Sequence, residues 1–187
     1  MKTFYTADRR EWRRWLRQNH RKEPEIWLVY YRKDSGKPRL SYNDAVEEAL
    51  CVGWIDSILR KIDDERFAQK FSPRRKTSAL SQLNRERVCK LIKQKKMTKA
   101  GLEAISHVYD PDQDDENFVV PPDILKALKA ERGAWRNFQR FPAAYRRIRV
   151  SWVDTARKRP EEFDKRLRRL VRMTARNKRF GYVREMR

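Results

Sequence analysis

Glycine, cysteine and histidine are all scarce in this 187-residue chain, at five, two and two residues. Each shortage excludes something. The glycines, Gly36, Gly53, Gly101, Gly133 and Gly181, are isolated, so there is no glycine-rich loop to cradle a phosphate and no dinucleotide fingerprint. His20 and His107 have no second His or Cys at ligand spacing, which excludes a structural zinc site; no metal and no cofactor is expected. Cys51 and Cys89 do not make a disulfide framework and point to a reduced, cytoplasmic location. No apolar run approaches the ~20 residues that span a bilayer, so no membrane insertion is expected. The opening Met1-Lys2-Thr3-Phe4-Tyr5 also lacks the apolar stretch of a signal peptide.

Charge and aromatic residues are plentiful. Lys plus Arg number 47 against 26 Asp plus Glu, a net charge of +21, with six Trp, seven Tyr and eight Phe. So many aromatics separate the chain from disordered polymers and allow a real core. The basic excess falls in two stretches. Residues 60–100 carry fourteen basic and four acidic residues, and residues 141–187 carry sixteen and five. Such surfaces attract phosphate through counterion release, so nucleic acid is one possible partner. The residues expected to make that contact are Arg75, Lys76, Lys165, Arg168, Arg169 and Arg172. The bland alternative is a set of solvated helix faces.

The patterning predicts an α+β fold: a small antiparallel sheet with packed helices, followed by a C-terminal helical domain. A short strand at Phe4-Tyr5 precedes a helix opened by Asp8 and Glu11, a capping-box spacing, which docks through Trp12, Trp15 and Leu16. The run Ile26-Trp27-Leu28-Val29-Tyr30-Tyr31 reads as a strand. Ser41 caps a second helix with Ala45, Val46, Ala49 and Leu50 inward, ended by Gly53. Residues 54–72 read as an antiparallel hairpin turning at Asp63-Asp64-Glu65. A third helix is expected over 78–95, and Met97-Thr98 opens a fourth. The expected division is an α+β domain at 1–109, an acidic and proline-bearing linker at 110–121, and a helical domain at 122–187. Pro122, Pro142 and Pro160 stand where helices should begin.

One segment is harder to explain by packing alone. Asp56 lies among hydrophobic residues on an expected strand, and a carboxylate there needs a partner. Arg74 follows the strand expected to pair with it. The bland reading is an Asp56–Arg74 ion pair. The sharper one is a polar ligand site at the hairpin end, formed by Trp54, Asp56, Arg74, Ser78, Ser81 and Asn84. There the start of the third helix would favour a small molecule or anion. No catalytic residue is assigned: Cys51 lacks a base, and no nucleophile–base pair is apparent, so binding without catalysis is expected.

Several phrases resemble the YdeI/OmpD-associated family, also described as bacteriocin-protection proteins. They are Glu11-Trp12-Arg13-Arg14-Trp15-Leu16, Ile26 to Lys33, and Ala49-Leu50-Cys51-Val52-Gly53-Trp54-Ile55-Asp56-Ser57. Phe71-Ser72-Pro73-Arg74, Ser78 to Asn84 and Met97 to Leu102 add to them, as do Tyr145, Ile148, Trp152, Ala156 and Lys158 in the tail. Leu80 stands where that family's pattern has Trp. The resemblance implies a bacterial stress-protection protein, tied to resistance against bacteriocins and cationic peptides, without an established reaction. Oligomeric state has no signature in the sequence.

Overall fold

The computed structural model describes residues 1–110, 118–181 and 183. The chain divides into two compact units, residues 1–111 and 112–187. Most of the expected acidic linker, residues 111–117, lies outside the described residues.

The first unit contains β1 (Thr3–Tyr5), α1 (Arg9–Asn19), β2 (Ile26–Tyr31), α2 (Tyr42–Cys51), β3 (Trp54–Lys61), β4 (Arg66–Pro73), α3 (Gln82–Lys93) and α4 (Lys99–Glu103). The sheet order is β1-β2-β4-β3. β2, β4 and β3 pair antiparallel as the hairpin pattern requires, but β1 adds to β2 in parallel. Asp63 shapes the hairpin turn, its Oδ1 accepting from the N–H groups of Glu65 and Arg66 at 3.0 and 2.7 Å.

Asp8 caps α1 by accepting from Arg10 N at 2.7 Å. Glu11 does not reach back to close a capping box; the Thr6 hydroxyl donates to it instead. Trp12 and Leu16 are fully buried against the sheet, and the Trp12 indole donates to Ala45 O at 3.1 Å. Trp12 stacks on half-buried Trp15. With Ile26, Leu28, Trp54 and Phe71 they fill the core.

The third helix starts later than its pattern suggested. Ser81 is its cap, accepting from Asn84 N, and residues 78–81 precede the helix. α4 sits on the end of α2. Thr98 donates its N–H and its hydroxyl to Cys51 O at 2.9 and 2.7 Å. A Cβ at Gly101 would stand 2.3 Å from that same oxygen, so this contact requires glycine. Cys51 is buried beneath it, and burial first, with help from nearby Glu48, pushes its thiol up to about 11.

The second unit holds α5 (Pro122–Ala130), α6 (Ala134–Arg140), α7 (Ala143–Asp154) and α8 (Pro160–Ala175). Pro122 and Pro160 occupy first turns and Pro142 immediately precedes α7. A missing N–H does no harm at such positions. Ile124, Leu128, Phe138, Val150, Val153, Leu170 and Phe180 form the core. Among the described residues no helix is long and apolar enough to cross a membrane.

Candidate functional site

The six residues expected at the hairpin end occupy three different environments. Trp54 is a core residue, 1% exposed; its indole meets the edge of Trp15 and donates to His20 O at 3.1 Å. Arg74 is buried, and its guanidinium donates to the backbone oxygens of Ser78 and Ala79. Its Nε and Nη1 have no hydrogen-bond partner among the described residues, and burial alone lowers its pKa. Ser78 thus contributes its main chain, and exposed Ser81 is used as the α3 cap. Asp56 and Asn84 belong to a third setting. The expected Asp56–Arg74 ion pair is not formed.

Asp56 finds its partner upstream. Tyr42, in the first turn of α2, donates its hydroxyl to Asp56 Oδ2 at 2.8 Å. Arg87 of α3 reaches the same region, donating to Asn43 Oδ1 at 2.6 Å and to Asn84 Oδ1 at 2.9 Å. Its guanidinium carbon lies 5.8 Å from the Tyr42 ring centre. Burial lowers the Arg87 pKa, while nearby Tyr42 and Asp56 act against that shift. The buried hydroxyl of Tyr30 lies in this neighbourhood without a hydrogen bond among the described residues. Its pKa is raised by burial, then by Tyr42 and Asp56. This polar cluster ties β3, α2 and α3 together. It contains a carboxylate that accepts from a tyrosine hydroxyl and a buried guanidinium held by two asparagine oxygens. Tyr30, Tyr42 and Arg87 were missed by the sequence reading; only Asp56's need for a partner hinted at them.

A second charged network joins α1 to α2. Arg9 donates to Asp44, to Glu47 at 2.8 Å and to Glu48 at 2.5 Å. Arg13 donates to both oxygens of Glu48, and Lys90 pairs with Glu47 at 3.0 Å. Burial alone would push Glu47 and Glu48 up. The hydrogen bonds from Arg9, Arg13 and Lys90 outweigh it and hold both carboxyls below the usual carboxylate range.

These contacts redistribute the basic surface. Within residues 60–100 much of the positive charge is already used. Lys61, Arg66, Lys70, Lys90 and Lys99 sit in ion pairs, and Arg74 and Arg87 are buried. Arg75 and Lys76 remain exposed and unpaired among the described residues. α8 differs. Among the described residues only Arg166 is engaged by an acid, Glu162, at 2.7 Å. Lys165, Arg168 and Arg172 are exposed, lie on one stripe at helical spacing and form no ion pair among the described residues. Arg169 is exposed beside them, with its guanidinium carbon 5.1 Å from the Phe180 ring centre.

Arg149 is the buried cation of this unit. Its guanidinium lies 5.5, 5.6 and 4.5 Å from the ring centres of Tyr145, Trp152 and Phe180. Burial lowers its pKa, against the pull of Tyr145. The backbone turn at Gly181 packs on it, and Tyr145 OH accepts from Phe180 N at 3.1 Å. Among the described residues no group of His, Cys, Asp and Glu could hold a metal ion.

Residues 4–104, more than half of the chain, match the family described as a domain of unknown function, DUF8412. The chain belongs to this family. Residues 117–177 match a second family, described as bacteriocin-protection, YdeI or OmpD-associated. The YdeI/OmpD-associated likeness is therefore carried by the C-terminal helices with Tyr145, Ile148 and Trp152. The phrase from Ala49 to Ser57 falls in the DUF8412 domain. No curated protein and no solved structure matches the chain.

Proposed function

We propose that this chain is a non-enzymatic, cytoplasmic binding protein that acts on a phosphate-bearing polymer, nucleic acid, through its basic surface. The observation that carries this reading is the stripe Lys165, Arg168 and Arg172 on α8, which forms no ion pair among the described residues, with Arg169 beside it. Exposed cations that no carboxylate binds directly stay available to phosphate, and arginine forks suit phosphate geometry. The second family's description adds a constraint. A chain of net charge +21 repels a cationic peptide, so protection by capturing such a peptide is electrostatically unfavourable. Protection fits better if this chain covers an anionic polymer that such an agent would otherwise reach.

The test is a fluorescence-anisotropy titration of a labelled ~20-base-pair duplex between 50 and 200 mM salt. Affinity should fall steeply, because each neutralised phosphate contributes about −0.9 to the log–log slope. The variant Lys165→Gln/Arg168→Gln/Arg172→Gln should flatten that slope by about 2 to 3. Absence of binding at 50 mM salt, or binding indifferent to salt, overturns the reading.

A further inference from the structure

We infer that the outward face of α1 in the DUF8412 domain is a second phosphate-backbone contact, formed by Arg10, Arg14 and Arg17 with Gln18 beside them. The inference rests on the nucleic-acid reading for the kind of polymer, but the surface itself stands on separate observations.

Residues 1–59 hold twelve basic and nine acidic residues, a nearly neutral stretch that gives no signal when charges are counted. Folding separates those charges. Asp44, Glu47 and Glu48 turn toward α1 from α2 and are engaged by Arg9 and Arg13, with Glu48 completely buried. Of the acids on α1 itself, Asp8 is committed to the cap and Glu11 accepts from Thr6. Arg10, Arg14 and Arg17 are left on the opposite side, all exposed and all without an ion pair among the described residues. They lie at i, i+4 and i+7, one stripe of the helix. With Arg13 and Gln18 they line a shallow groove.

The stripe is also held rigid. Trp12 and Leu16 are fully buried on the other side of the same helix, the Trp12 indole is tied to Ala45 O, and Arg13 is clamped to Glu48. Cations on a fixed element lose less freedom when they bind than cations on a loop. Arg10 and Arg17 stand seven residues apart, about 10 Å along the helix, a span that reaches across neighbouring phosphates of one nucleic-acid strand. The groove lining is arginine and glutamine only. A membrane-surface helix turns an apolar face to the lipid, and the apolar face of α1 is already spent on the core. A nucleic-acid backbone is therefore the better fit than a lipid surface.

The test compares the full-length wild type with Arg10→Gln/Arg14→Gln/Arg17→Gln and with the α8 triple variant. The three are titrated on the same duplex across salt and on vesicles containing anionic lipid. The α1 variant is expected to weaken duplex binding about tenfold or more at 100 mM salt and to flatten the slope by about 2 to 3. The corresponding Arg→Lys triple should keep the wild-type slope, since charge is preserved. If the α1 triple fails to fold, R14Q alone should shift the slope by about 1. A wild-type slope in the α1 variant, with a flattened one in the α8 variant, overturns this inference and leaves the function proposed above intact. No duplex binding by the wild type overturns both. Loss of vesicle binding, with duplex binding unchanged, assigns the α1 face to membranes and overturns the inference.

Discussion

In the first unit the deepest charged side chain is Glu48, 1% exposed; in the second it is Arg149, 7% exposed. Glu48 is neutralised ionically, by two arginines from the neighbouring helix. Arg149 has no carboxylate among the described residues and is instead surrounded by three aromatic rings. An ion pair depends on both partners: remove one and the other is left charged and desolvated. An aromatic enclosure offers its cation only the weaker pull of the ring faces, but nothing charged is stranded if the cation goes. The first unit thus spends its acids internally and keeps unpaired arginine on one helix face. The second leaves α8 basic and buries its cation among hydrophobic groups.

The largest break in that comparison comes from Glu48→Ala. Arg9 and Arg13 both lose their deepest partner, and the loss should be about 3 kcal/mol. That is the low end for a broken buried pair, because both guanidiniums remain about a third exposed. Urea unfolding followed by indole fluorescence would read it; a change under about 1 kcal/mol would mean that the network is ornamental.

Acid gives a smaller effect and separates the two units. Glu47 and Glu48 have folded pKa values below their unfolded ones. Their contribution is therefore complete above the unfolded value, near 4.3, and is lost as pH falls from there through the folded values. Amide exchange on the whole chain should show α1 and α2 losing protection ahead of α7 and α8 on going from pH 6 to pH 3. Equal loss in both units would contradict the contrast.

Arg149→Met should change least, within about 1 kcal/mol. It replaces a desolvated cation by an apolar side chain among Tyr145, Trp152 and Phe180 and strands no acid. A thermal midpoint lowered as far as that of Glu48→Ala would show that the rings need the charge.

Local pattern made much of this fold readable. The stripe Trp12, Trp15, Leu16 identifies α1, the polar turn at Asp63 to Glu65 splits 54–72 into a hairpin, and prolines mark the starts of the C-terminal helices. What depends on distant partners was hidden. Periodicity puts Ala45, Val46, Ala49 and Leu50 inward, yet Glu47 and Glu48 are buried too, because Arg9 and Arg13 approach from more than thirty residues away. The parallel addition of β1 has no local signature either. At the candidate site, the demand of Asp56 for a partner was legible and the partner was not. Arg74 is next to the paired strand in sequence, but its guanidinium is taken by the carbonyls of Ser78 and Ala79, whereas Tyr42 enters from a helix start. The arginine stripe of α1 was masked by acids that only folding removes from its surface.

The seat of α4 on the end of α2 also sets a clock. Cys51 lies beneath it with its thiol pushed up to about 11, while Cys89 on α3 is only half-buried. Thiol reagents attack the thiolate, so at neutral pH Cys51 stays silent until the core packing around it opens. The chain carries its own paired stopwatch: one sulfur timing ordinary surface access, the other timing how often the core at the end of α2 opens.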